Sequence, residues 1–120
     1  MSHPFPTEIR LQQRSRVLTV TFDDGVYFEL PCELLRVYSP SADVKGHGPE
    51  TAVLQLGKEA VTITAIEPVG QYAVRLVFDD GHDTGLYSWS YLYELGAQRE
   101  RYWQQYLEAL GRAGHRRQAP

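Results

Sequence analysis

With 42% apolar and 22% charged side chains, a chain of 120 residues is long enough for one domain with a modest core, which excludes disordered and fibrous classes. A formal charge of −3 lacks the clustered Lys and Arg that a phosphate backbone demands, so no nucleic acid is expected as a partner. The single Cys32 permits no intrachain disulfide, the Met1-Ser2-His3-Pro4 start has no apolar leader core, and no run approaches the roughly 18 apolar residues of a membrane span. A cytoplasmic protein without membrane association is expected.

The first strand is expected over Glu8 to Leu11. Gln12 to Ser15 then turns the chain into a second strand, in which Leu18, Val20 and Phe22 share one side at period two. Phe22-Asp23-Asp24-Gly25 closes a hairpin, because Asp-Gly supplies the positive φ that a tight turn needs. The return strand, Val26 to Leu30, leads into an apolar, helix-like stretch from Pro31 to Leu35. From Ser39 to Gly57 turn formers dominate, with Ala52-Val53-Leu54 as a weak strand; a loop this long is of the functional or disordered kind.

Strand patterning resumes at Val61 to Ile66, turns near Pro68-Val69-Gly70 and returns as Tyr72 to Phe78, where Phe78-Asp79-Asp80-Gly81 repeats the earlier motif. After a short strand, Thr84 to Tyr87, Ser88 is placed to cap a helix with Trp89, Leu92 and Tyr93 on one face and Gly96 as its stop. A second helix, about Ala97 to Leu110, carries Trp103, Tyr106, Leu107 and Leu110 as one apolar stripe. A strand-strand-strand-helix unit is thus used twice. The expected fold class is α+β: two small antiparallel three-stranded β-meanders in a pseudo-duplicated arrangement, with C-terminal helices packed on the sheet. Residues 1–6 are expected as an N-terminal arm, 7–110 as a single domain and 111–120 as a flexible C-terminal tail, with Arg112 to Arg117 solvated.

The copies differ in length. Leu34 follows Phe22 by 12 residues and Leu92 follows Phe78 by 14, which places two extra residues around Gly81-His82-Asp83, where chemistry is sought first. Seven of the 14 aromatic residues lie between Tyr87 and Tyr106, a density suited to a packed seam or a partner surface. Trp89, Leu92, Trp103 and Leu107 are assigned to the core, and Tyr91 and Tyr102 to an exposed partner-binding surface.

Ile63 to Gly70, and then Val77 through the His82-Asp83-Thr84-Gly85-Leu86-Tyr87-Ser88-Trp89 string to Leu92, resemble the bacterial DUF971 family, which in turn is similar to the N-terminal domain of gamma-butyrobetaine hydroxylase. The resemblance spans residues 7–110. It implies a packing and dimer-contact domain, and in the hydroxylases a structural zinc held by Cys-Pro-Cys-x-x-Cys, after a Leu-Arg pair, and by one later histidine. Leu35-Arg36 is present here, but the three cysteine places fall on Ser39, Ser41 and Val44, and only the histidine place, His82, keeps its ligand. Serine hydroxyls do not replace thiolates on zinc, so a site of the hydroxylase kind is not expected.

Two readings of His82 follow. It holds zinc or iron in a looser site with Asp79, Asp80, Asp83 or the distant His47, or it belongs to a solvated turn. Cys32, inside an apolar stretch, is expected as a small buried hydrophobe rather than a reactive thiol. The oxygenase domain of the hydroxylases has no counterpart in this length of chain, and no His-x-Asp, Gly-x-Ser-x-Gly, phosphate loop or dinucleotide fingerprint occurs. The expectation is a non-catalytic accessory or interaction domain, monomer or homodimer, with an unidentified protein partner and no resident cofactor. The alternative is a metal-binding or iron-sulfur-related accessory using His82, Asp80 and Asp83, since similar domains occur fused to iron-sulfur carrier ATPases of the Mrp type.

Overall fold

A computed structural model of the protein describes residues 4–41 and 54–117. The order of elements is β1 (Pro6–Gln12), β2 (Val17–Phe22), β3 (Tyr27–Pro31), α1 (Cys32–Val37), β4 (Ile63–Val69), β5 (Ala73–Phe78), β6 (Leu86–Ser88), α2 (Trp89–Ala97) and α3 (Arg99–Arg112). The strands form two three-stranded antiparallel sheets, β1-β2-β3 and β4-β5-β6. The α+β class and both expected meanders are present.

The two Phe-Asp-Asp-Gly turns are built bond for bond alike. Gly25 and Gly81 stand at φ 86° and 92°, where a side chain would be strained. Their N–H groups donate to Phe22 and Phe78, while Phe22 and Phe78 donate to Val26 and His82. Asp24 Oδ1 and Asp80 Oδ1 accept from the N–H of those same two residues. Each sheet also bulges in one place, between Pro6 and Glu8 opposite Phe22 and between Ile63 and Ala65 opposite Phe78.

Register revises one expectation. Leu18 faces Leu30 while Val74 faces Tyr87, so the second hairpin carries one extra residue rather than two, and Leu92 matches Leu35 rather than Leu34. Counted from the helix starts at Cys32 and Trp89, Arg36 matches Tyr93 and Ser39 matches Gly96. These matched residues reach across to the opposite half: Arg36 bonds Asp80, and the Tyr93 hydroxyl bonds Asp24. The halves therefore clasp one another reciprocally.

Inward residues of both sheets, Leu18, Val20, Phe22, Leu30, Ile63, Val74, Leu76, Phe78 and Tyr87, share one core with Leu34, Leu35, Leu92 and Leu95 of the helices. Cys32 lies in that core, and burial raises its thiol pKa. Trp89 and Trp103, assigned to the core, are half-buried at its margin, Leu107 is half-buried, and Leu92 alone of the four is fully enclosed.

Ser88 caps α2 as expected, its hydroxyl accepting from Tyr91 N–H. Gly96 does not stop that helix, which runs on to Ala97; the glycine leaves room for the Phe28 ring, which an added Cβ would overlap. The expectation that Arg112 to Arg117 is solvated holds for exposed Arg112 and Arg116 but is corrected at His115 and Arg117. α3 extends to Arg112, His115 contacts Glu59 and Arg117 pairs with buried Glu33. Most of the expected loop from Ser39 to Gly57, with Val44, His47 and the strand at Ala52-Val53, lies outside the described residues, and Leu54 is not in a strand.

Candidate functional site

The second turn and the exit from α1 meet in one cluster. Tyr38 N–H donates to Leu34 and Ser39 N–H to Arg36, which closes the short helix and turns Ser39 inward to complete burial. Ser39 Oγ lies 2.8 Å from His82 Nε2 and accepts from Ser41 N–H at 3.3 Å. Ser41 Oγ in turn lies 2.6 Å from Thr84 Oγ1. Gly85 makes this approach feasible, since an added Cβ would overlap Ser39 Oγ. Tyr87 closes the floor, donating its hydroxyl to Leu35 O at 2.5 Å, and burial pushes its pKa well up.

Beside the hydroxyls stands an ion-pair group. Asp80 Oδ2 accepts from Arg36 Nε at 2.8 Å and from Lys58 Nζ at 2.7 Å. Partial burial alone would raise the Asp80 pKa; the bonds from Lys58, the His82 N–H and Arg36 prevail and lower it to about 2. Arg36 is 7% exposed, and its Nη1 has no hydrogen-bond partner among the described residues.

The residues proposed to join His82 at a metal are drawn elsewhere. Asp80 is committed to two cations, Asp83 lies 3.9 Å from Arg75 Nη1, and Asp79 Oδ1 accepts from Thr62 N–H at 3.2 Å. Among the described residues no group of three or more His, Cys, Asp or Glu is disposed to hold a metal ion. His82 is half-buried and is brought to Ser39 instead.

The tyrosines assigned to an exposed surface are half-buried. Tyr91 donates its hydroxyl to Tyr38 O at 2.6 Å, and burial pushes its pKa up. The Tyr102 hydroxyl bonds Glu94, its carbonyl accepts from the Tyr38 hydroxyl at 2.8 Å, and its ring meets Tyr38 edge-on at 4.9 Å. They form a seam between α1 and the C-terminal helices. Among the described residues the aromatic rings that do face solvent belong to Tyr72, 75% exposed, and to Tyr27 and Phe5, each 52% exposed.

Sequence reasoning missed Thr84 and the pairing of Arg36 with Asp80. Thr84 is one polar residue among many in a loop and has no signal of its own. Arg36 had one, a charge inside the apolar stretch that runs from Leu34 to Val37.

A family model described as gamma-butyrobetaine hydroxylase-like, N-terminal, matches residues 9–93. The chain belongs to that family. A chain solved in solution by NMR is 52% identical to this member, with a TM-score of 0.84 over 98% of this chain and 88% of the other. A second NMR structure is 45% identical, also at TM-score 0.84, over 99% and 94%. A crystal structure of a DUF971 protein of unknown function from Acidithiobacillus ferrooxidans is 41% identical at TM-score 0.66, over 80% of this chain and 99% of that one. No curated protein matches.

Proposed function

We propose that this family member is a non-catalytic accessory or protein-interaction domain, in which hydrogen bonding among Ser39, Ser41, His82 and Thr84 does the cross-linking that a structural metal performs in the hydroxylases. The observation that carries this reading is the meeting of Ser39 and His82 at 2.8 Å. The chain segment after α1 and the β5–β6 loop are distant in sequence, and their meeting adds a further tie to the shared core and the Arg36–Asp80 and Tyr93–Asp24 contacts between the halves. A metal with thiolate ligands is one way to join them, and a hydroxyl with an imidazole is another. Complete burial of Ser39 argues against a nucleophile, which needs access to a substrate.

Elemental mass spectrometry of untagged protein, purified without chelator from cells supplied with iron and zinc, tests the reading. The expected result is folded protein without stoichiometric metal. Near-stoichiometric zinc or iron that disappears in His82→Ala would overturn it in favour of a metal accessory centred on His82, with Asp80 and Asp83 released from their present partners.

A further inference from the structure

The correspondence between the halves breaks at one place, and there a buried cation is short of partners. Counted back from Leu30 and Tyr87, which face Leu18 and Val74, Phe28 matches Gly85, just as Ser39 matches Gly96. At the Asp24 turn the Tyr93 hydroxyl holds the carboxylate, the Phe28 ring meets Tyr93 edge-on at 5.2 Å, and Gly96 admits that ring. At the Asp80 turn Arg36 holds the carboxylate, and the place of Phe28 is taken by Gly85, where an added Cβ would meet Ser39 Oγ. A guanidinium thus stands where the other half has a phenol, and position 85 supplies no ring to cover it.

The charges at this turn do not balance either. Asp80 Oδ2 accepts from Arg36 Nε and from Lys58 Nζ, so two cations share one carboxylate oxygen. Oδ1 is turned to the His82 N–H, which leaves both oxygens engaged with donors. Nη1 of Arg36 is shielded from solvent and unmatched among the described residues, and an unmatched buried donor on a charged group is costly. The Lys58 ammonium has three donors and places one of them on Asp80. A tetrahedral oxyanion answers both needs, giving one edge to the planar guanidinium and a further oxygen to the ammonium. A carboxylate has only two oxygens to divide between them.

We propose that Arg36 and Lys58 bind a small inorganic oxyanion, phosphate or sulfate, at the Asp80 turn, with Arg36 Nη1 and the Lys58 ammonium as donors. The ion enters past Lys58, whose side chain is 21% exposed, and reaches Arg36 behind it. Burial of the guanidinium favours the free ion over an ester with a bulky substituent. This goes beyond the interaction-domain reading and does not depend on the metal result.

The test is a titration of full-length wild type with sodium phosphate, at ionic strength held constant with sodium chloride, while the Arg36 Nε–H and the His82 backbone N–H are followed by NMR. A saturable shift of both is expected. Sulfate should act alike, with acetate and phenyl phosphate at least about tenfold weaker. Lys58→Met, at a partly exposed position, and Arg36→Lys, which keeps the charge but loses Nη1, should each weaken phosphate at least about tenfold, read at the His82 N–H. Arg10→Gln, in the other sheet, should leave it unchanged. Should Arg36→Lys fail to fold, Lys58→Met decides. Folded wild type without a saturable shift, or either folded variant binding phosphate as tightly as wild type, would overturn the proposal. Acetate or phenyl phosphate binding as tightly as phosphate would overturn the assignment to a small tetrahedral ion.

Discussion

The Ser39 hydroxyl and the His82 imidazole meet at 2.8 Å, joining the end of the first β-β-β-α unit to the hairpin loop of the second. Both partners are withdrawn from bulk water, Ser39 completely and His82 by half, so the contact replaces two hydration shells with one bond. Removing the hydroxyl takes one hydrogen bond from the His82 ring and one from the Ser41 N–H. Ser39→Ala should lower unfolding free energy by about 1–3 kcal/mol in urea melts. A change below experimental error would show that the contact is incidental to joining the halves.

Gly96 reverses a common rule. An exposed glycine inside a helix normally gains about 1 kcal/mol on replacement by alanine. Here the new methyl would overlap the Phe28 ring, which is itself wedged edge-on against Phe22 at 5.9 Å and Tyr93 at 5.2 Å. Gly96→Ala should therefore destabilise by about 1–3 kcal/mol, and pairing it with Phe28→Leu should recover part of the loss. Thermal melts of the three variants decide the sign.

The Asp80 carboxyl supplies an acid-sensitive contribution. Its folded-state pKa of about 2 lies below the ordinary 3.8, so the unfolded chain binds its proton first as pH falls. The stabilisation is complete above the ordinary value and drains away between 3.8 and about 2. The shift corresponds to at most about 2 kcal/mol, and solvent screening at this exposed turn reduces it to about 1 kcal/mol. Wild type and Asp80→Asn should thus differ in unfolding free energy near neutral pH and converge in acid. A gap that stays constant through that window would place the stabilisation in the shape of the turn rather than in the charge.

How far the architecture was legible follows from where the signals are local. Alternation in Leu18, Val20 and Phe22, the paired Asp-Gly turns and the Ser88 cap each act within a few residues, and all were recovered. Gly96 misled because its role is to admit Phe28, a contact across sequence that no spacing rule encodes. Tyr91 and Tyr102 misled for the same reason, since Tyr38, which occupies both, precedes them by more than fifty residues and lies past the end of α1. The docking of Arg117 needed knowledge that α1 buries Glu33, whose helix is only six residues long. For His82 the sequence offered a looser metal site with acidic neighbours or a solvated turn, and neither anticipates the contact with Ser39, a residue 43 positions away that the resemblance set at one of the cysteine places.

That meeting supports a reciprocal experiment. A zinc ion bound by a thiolate at about 2.3 Å and an imidazole at about 2.0 Å holds sulfur and nitrogen roughly 3.5 Å apart at the tetrahedral angle. The Ser39–His82 distance of 2.8 Å is short of this by less than a bond length, and cysteine's longer Cβ–S bond changes the reach in the same region. Ser39→Cys and Ser41→Cys restore two thiolates, and Val44→Cys, at a position outside the described residues, completes the Cys-Pro-Cys-x-x-Cys pattern of the hydroxylases. The triple variant is expected to take up one zinc per chain with raised thermal stability, and to lose both on adding His82→Ala. Zinc bound equally well without His82 would show that the three thiolates recruit some other ligand, and that the histidine place is not shared between this chain and the hydroxylases. No uptake by folded triple variant would mean that the segment carrying residue 44 does not reach the Ser39–His82 pair.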